Sequence, residues 1–385
     1  MTAEIGNSGN AQVILLGNDG RVYLSYQVAA SGNWYWAGSL PSTVLLKTIA
    51  SAKGGDGNIQ IVGLGKPDGL PYLIYQVNSS GNWHWAGDQP TSNGFAFSSV
   101  ANGIGAGDDP DWIFTAVPAL GATDGLPYAA YQDHDGTWSS YPSNTTSAGA
   151  FATIPGSQRL SSIIGLTNES SSNLIDPDRA NDFGAYGYLI GLGDDQLPYL
   201  MALEQYIGPC SGYCTRWGWR GLLPNGLPFK AIAAGLGDDE GAGTTDRAQI
   251  IGIGATDGQP YLIYQAHSGA WYSPGLLPNA PGLRFRFVAT GKGNDGNLQV
   301  IFLGEDGLPY LSYQVHASGN WYWAGALPNP SGVAFSKVTT LRLFTQTAGW
   351  RLYVIGLGAI DTKPYLIYQA QDGSWHWYGV LPTTP

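Results

Sequence analysis

Asp68-Gly-Leu-Pro-Tyr-Leu-Ile-Tyr-Gln76, followed three residues later by Ser80-Gly-Asn-Trp-His-Trp-Ala-Gly87, is the stretch from which the rest of the chain can be read. Asp-Gly is a hairpin signal, because Gly adopts positive φ without strain. The Tyr-Leu-Ile-Tyr-Gln run is aromatic and β-branched, and the Trp-His-Trp run is aromatic. Two strands joined by a Ser-Gly-Asn turn are therefore expected. The first strand has counterparts at 23–27, 261–265, 310–314 and 365–369, with looser copies at 128–132 and 199–205. A turn Asp precedes each copy: Asp19, Asp68, Asp124, Asp195, Asp257, Asp306 and Asp361. A Trp follows each: Trp34, Trp83, Trp138, Trp217, Trp271, Trp321 and Trp375. A Pro closes each: Pro41, Pro90, Pro142, Pro224, Pro278, Pro328 and Pro382.

Upstream of each Asp lies a near-continuous apolar run, such as 59–64 or 298–303, with the character of a strand buried on both faces. A further short β-rich run, such as 285–291, opens the unit. Seven units in 385 residues average about 55 residues each, the size of one four-stranded propeller blade. The first and last units are among the best preserved, whereas an open solenoid would need atypical caps there. The expected fold is all-β: one seven-bladed β-propeller of four-stranded antiparallel blades spanning 1–385. The expected units are 1–41, 42–90, 91–142, 143–224, 225–278, 279–328 and 329–385. Whether the first strand opens blade one or completes blade seven is left open by the repeat itself. Unit four carries roughly 30 extra residues, much of them in the polar stretch 167–184, which reads as a surface loop.

Composition agrees. Charged residues are 12% of the chain against a typical ~25%, and Gly, at 56 residues, is about twice its usual share. The 14 Trp and 23 Tyr supply a large core and exclude disorder. A net charge of −11 makes nucleic acid and anionic membrane poor partners. No apolar run is long enough for membrane insertion as a helix. The first ten residues lack a signal-peptide pattern, so the expectation is a soluble protein made in the cytoplasm and released, if at all, by a non-Sec route. Cys210 and Cys214 can form a local bridge, form an inter-subunit bridge or stay as thiols.

A position present in every unit is one that every blade needs. The first Trp, the turn Asp and the closing Pro read as scaffold on that ground. The strand Gln reads as a buried amide that satisfies backbone groups. The second Trp is different. It is Trp36, Trp85, Trp219, Trp323 and Trp377, but Ser140 and Ser273 in units three and five. Residues two apart on a strand share a face, so it lies beside Trp34, Trp83, Trp321 or Trp375 in its own unit. The residue between each pair, Tyr35, His84, Tyr322 or His376, points the other way. Paired indoles beside Asn33, Asn82 or Asn320 suit a sugar, whose C–H face stacks on rings and whose hydroxyls meet amides. They equally suit packing between blades, and the residues alone leave both readings standing.

No P-loop, HExxH or nucleophile elbow occurs. The acidic clusters at Asp108-Asp109-Pro-Asp111 and Asp238-Asp239-Glu240 read as solvated turns, with calcium the sharper alternative. No metal or cofactor is expected. A sialidase-like glycosidase would need two carboxylates in one pocket, and no unit pattern supplies them. A protein-interaction scaffold is the other alternative.

The repeated unit, with Gly-Asn-Trp-x-Trp-Ala-Gly standing at 32–38, 81–87 and 319–325, resembles the fucose-binding seven-bladed propeller lectins of the Photorhabdus type, the PLL family. The resemblance covers essentially the whole chain. It implies a bacterial, non-enzymatic, multivalent lectin that binds L-fucose and related or O-methylated sugars between blades. It also implies glycan partners on host or other cell surfaces and a homo-oligomer, a dimer or tetramer. Units three, four and five depart from the pattern. Units six, seven, one and two form the unbroken arc of intact Trp pairs, and the junctions inside it are expected to be the best sites.

Overall fold

A computed structural model of the chain describes residues 1–6, 9–28, 31–54, 56–77, 79–90, 92–106, 114–132, 136–139, 151–154, 156, 158–167, 185–208, 212–238, 246–266, 268–315, 318–345 and 349–383. Its strands form seven antiparallel sheets, each made from consecutive strands in chain order, and no helix occurs among the described residues. These are the seven blades of the β-propeller class, over 2–39, 46–87, 97–153, 160–222, 229–276, 285–326 and 335–380. The first strand, Thr2–Ile5, pairs within blade one, which settles the question of the opening strand. Asp108, Asp109, Asp111, Ser140, Pro142, Cys210, Asp239, Glu240 and positions 168–184 of the polar stretch lie outside the described residues.

The chain divides into two compact units. One is Met1–Ser8, Val13–Leu24 and Ser39–Leu223; the other is Gly9–Gln12, Ser25–Gly38 and Pro224–Pro385. In the second unit the opening strand of blade five, Phe229–Asp238, lies beside that of blade six, Phe285–Lys292, which lies beside that of blade seven, Phe335–Thr345. Thr290 and Thr340 donate their hydroxyls to backbone carbonyls of the preceding blade, at Ala234 and Thr290. The opening strands are therefore the innermost ones.

The second strand of each blade explains the continuous apolar runs. Every residue of Ile59–Gly65 and of Leu298–Gly304 is buried. Along the latter, Val300 and Phe302 join a core with Ile251 and Ile253 of blade five, while Ile301 and Leu303 join one with Val354 and Ile367 of blade seven. Alternate side chains thus fill two successive seams, and both faces must be apolar. Gly is needed where a ring lies flat on the sheet: a Cβ at Gly252 would stand 2.5 Å from Phe229.

Every blade but the second ends on a buried aliphatic residue whose N–H returns to the third strand; in blade two the place is taken by exposed Gln89, whose N–H goes to the Gly87 carbonyl. Leu40 donates to Val22, Leu277 to Pro260, Leu327 to Pro309 and Leu381 to Pro364, at 2.8–2.9 Å. Blade three keeps this ending in a broken form. Its opening strand is split into Phe97–Val100 and Ile104–Ala106, and its outer strand into Trp138–Ser139 and Phe151–Thr153. Ile154, fully buried, donates to Pro127, so strand pairing carries blade three past Pro142.

Candidate functional site

The outer strands carry the paired indoles. Along Trp321–Ala326 half-buried and exposed residues alternate, so Trp321 and Trp323 face inward and Tyr322, 46% exposed, faces outward. The same alternation holds in Trp34–Ser39 and Trp375–Val380. The inward side is the seam with the preceding blade. Trp83 and Trp85 of blade two pack on Ile14, Val22, Leu24 and Leu40 of blade one. Trp321 and Trp323 pack on Ile251, Ile253 and Leu262 of blade five. Trp375 and Trp377 pack on Ile301, Leu303 and Leu311 of blade six, and Trp217 and Trp219 on the blade-three core.

The second indole is held by a ring of its own blade. Trp85 stacks on Tyr72 at 5.5 Å and 15°, Trp219 on Tyr199 at 5.6 Å, Trp323 on Tyr310 at 5.8 Å and Trp377 on Tyr365 at 5.6 Å. Each of these tyrosines donates its hydroxyl to the turn Asp: Tyr72 to Asp68 at 2.7 Å and Tyr310 to Asp306 at 2.6 Å. The other carboxylate oxygen of Asp68 accepts the N–H of Leu70 at 3.0 Å. These bonds pin the ring under the indole. They push the Tyr72 and Tyr261 phenols up to about 12, because a phenolate could not donate to Asp68 or Asp257. The hydrogen bonds from Tyr23 and Tyr365 hold the Asp19 and Asp361 carboxyls below their ordinary value.

The residue between the two indoles serves a different seam. Tyr35 stacks on Tyr26 at 5.9 Å, His84 on Tyr75 at 5.6 Å, Tyr322 on Tyr313 at 5.7 Å and His376 on Tyr368 at 5.3 Å, all on the face opposite the Trp pair. That face meets the following blade: Tyr75 shares a core with Trp138, and Tyr264 shares one with Trp321 and Trp323. A seam therefore has a Trp wall from one blade and a Tyr–Tyr or Tyr–His wall from the blade before. Tyr322 belongs with Trp375 and Trp377, and His376 with Trp34 and Trp36.

Beneath the rings runs a row of amides. Gln76 donates to the Gly81 carbonyl at 2.9 Å and Gln314 to Gly319 at 3.0 Å, closing the turn before the Trp strand. The Gln314 carbonyl oxygen accepts from Gln249 of blade five at 2.8 Å, and that of Gln369 accepts from the Asn294 N–H of blade six at 2.9 Å. Asn33, Asn82 and Asn320 lie on the turn with exposed side chains. Their carbonyls accept from Val28, Val77 and Val315 at 2.8–2.9 Å.

The indole N–H groups of Trp34, Trp83, Trp138, Trp217 and Trp321 are buried with no acceptor. A buried donor without a partner is uncommon, and here it recurs at the same position of five blades. No group of three His, Cys, Asp or Glu side chains able to hold a metal occurs among the described residues.

Sequence reasoning missed one aromatic. Trp85 pairs with Ile74, and the equivalent Ala130 pairs with Phe151. Phe151 thus takes the second-indole place in blade three and packs 4.6 Å from Phe97. Its signal is Phe151-Ala-Thr-Ile-Pro155, whose apolar-Pro ending copies Leu40-Pro41 and Leu327-Pro328. In blade five Ser273 stands in the gap and donates to the Leu262 carbonyl at 3.4 Å.

No family model matches the chain, and no curated protein sequence matches it. Solved structures do. The BP39L lectin from Burkholderia pseudomallei is similar with a TM-score of 0.69 and 18% identity, over 99% of this chain and 98% of that one. The Aleuria aurantia lectin, described as a six-bladed β-propeller with a novel fucose recognition mode, gives a TM-score of 0.50 and 13% identity over 98% and 92%. A puromycin hydrolase gives 0.52 and 13%, with 100% of this chain covering 54% of that one. At these identities the likeness is one of fold, and the fold it supports is the bladed, all-β one described above.

Proposed function

We propose that this protein is a multivalent, non-catalytic lectin whose seams each receive one L-fucose-class sugar, O-methylated forms included. The observation that carries the reading is the recurring Trp pair, buried or half-buried, whose first indole N–H, at Trp34, Trp83, Trp217 and Trp321, is buried without an acceptor. An indole face offers a platform for the C–H and methyl groups of a deoxy sugar, and the N–H offers one hydrogen bond to a ring hydroxyl. The aromatic pair on the facing blade forms the second wall. The seams with intact Trp pairs, at Trp36, Trp85, Trp323 and Trp377, are the principal sites. Asn33, Asn82 and Asn320 read hydroxyls from the rim. The resemblance to the Photorhabdus-type lectins and the shared fold with two lectins support the same assignment. Weak single sites gain by multivalency on a glycan-bearing surface.

Calorimetric titration with methyl α-L-fucoside tests this. Replacing Trp36, Trp85, Trp323 and Trp377 together by Ala should abolish most of the binding heat. Unchanged affinity and stoichiometry in a folded variant would overturn the site assignment. A glycan array on which nothing binds would instead favour an interaction scaffold.

A further inference from the structure

The seam between blades seven and one carries a half-buried cation. In blade seven, Arg351 lies two residues before Tyr353 on Gly349–Gly358, so both project from the same face. Tyr353 pairs with Tyr368, and Tyr368 pairs with His376, which places all four side chains on the wall that faces blade one. The other wall is Trp34, edge-on to Tyr353 at 6.4 Å, with Gln27, whose carbonyl oxygen accepts the Tyr353 hydroxyl at 3.4 Å. These residues all belong to the second compact unit.

The guanidinium carbon of Arg351 sits 5.5 Å from the Tyr368 ring centroid. Its Nε is buried and has no acceptor, and the Trp34 Nε1 is in the same condition. Arg351 has no ion-pair partner among the described residues. Asp372, on the turn before His376, is occupied: its Oδ1 accepts the Ser374 hydroxyl at 2.5 Å, and Ser374 meets His376 Nε2 at 2.8 Å. Blades two and six place Asn58 and Asn297 at the equivalent position, donating to Asp56 and Asp295 of the turn between the first and second strands. Arg247 of blade five is also equivalent, but it is only 2% exposed and is held by other interactions. Among these four blades the half-buried, acid-free Arg belongs to blade seven alone.

Arginine cannot shed its charge and offers only donors. A partly buried guanidinium with an orphan Nε, beside an orphan indole N–H, calls for an acceptor carrying negative charge. We propose that the seam between blades seven and one takes an anionic sugar, bearing a carboxylate or a sulfate, with the anion on Arg351 and the ring against Trp34 and Trp36. This rests on the lectin reading and amends it at the Trp36 seam: the other seams take neutral fucose-class sugars, and this one takes the charged member of the glycan instead. The chain's net charge of −11 repels anions at long range, so the selectivity must come from this local group.

The test is calorimetric titration of the intact protein with methyl β-D-glucuronide, galactose 6-sulfate and methyl α-L-fucoside. At least one anionic sugar should bind at one site per chain, and comparison of the two distinguishes carboxylate from sulfate. Arg351→Gln should weaken that binding by at least about tenfold while leaving the fucoside sites of the other seams intact. Trp34→Phe, which keeps a ring and removes the orphan N–H, should weaken it as well and serves where the Arg variant fails to fold. Fucoside binding with no response to either anion, or anion binding that survives Arg351→Gln and Trp34→Phe, overturns this proposal alone. Absence of all three titrations overturns the lectin reading with it.

Discussion

At the residue scale, the second indole is positioned by a relay of three groups. The turn Asp accepts from the Tyr hydroxyl, the Tyr ring stacks on the Trp, and the Trp faces the seam. Tyr72→Phe keeps the stack and removes one hydrogen bond at a largely solvent-facing site. It should lower stability by about 0.5–1.5 kcal/mol in urea unfolding and loosen Trp85 enough to alter its fluorescence. The spacing of Asp, Tyr and Trp was legible in the sequence, and so was the opposite direction of the residue between the Trp pair. What the sequence did not show was its destination. Tyr322 and His376 lie one residue from their indoles in the chain, yet they serve the neighbouring seam. Only the placement of the next blade reveals that.

At the element scale, the strand Gln links blades as well as turns. Read from sequence, it satisfies its own backbone, as Gln314 does at Gly319. Its carbonyl oxygen also accepts from the preceding blade, and Gln249 is that partner. Gln314→Leu removes both bonds and leaves the Gln249 amide without its acceptor. A loss of about 1–3 kcal/mol is expected for each buried group so abandoned, read as a lower urea midpoint with unchanged slope. Blade three shows why its outer strand was hard to read. The repeat looks for a Trp two positions after Trp138, whereas the chain leaves the strand there and resumes it at Phe151–Thr153. Periodicity within a strand cannot bridge such an interruption, but the register with Ala130 does.

At the scale of the whole molecule, the Asp–Tyr pair recurs from blade to blade, so its pH dependence accumulates. The phenols of Tyr72 and Tyr261 are raised to about 12 in the folded chain. An unfolded phenol titrates near about 10, so the contribution is complete below pH ~10 and is lost as pH climbs towards 12. For Asp19 and Asp361 the folded value is depressed; their contribution is complete above about pH 4 and is lost as pH falls below it. Glu4, surrounded by protein yet in partial touch with solvent, is raised to about 7 by burial, against the opposing bond from Ser51. Its contribution favours the fold below about pH 4 and fades as pH approaches 7. The melting temperature should therefore be level between about pH 7 and 10 and fall on the alkaline side. Scanning calorimetry across pH 3–12 checks this, and an alkaline fall beginning well below pH 10 would contradict the pairing. Finally, no strand from one end of the chain completes a sheet at the other: Thr2–Ile5 stays in blade one, and the last blade meets blade one through Ser25 on the Pro382 carbonyl and Tyr353 on Gln27. Every blade is thus a self-contained cassette. A genetic cut between blades, near the closing proline of six blades and beyond Ile154 in blade three, would hand on whole sheets, so copy number can drift by recombination and the chain ends can be relocated to another inter-blade linker without tearing a sheet.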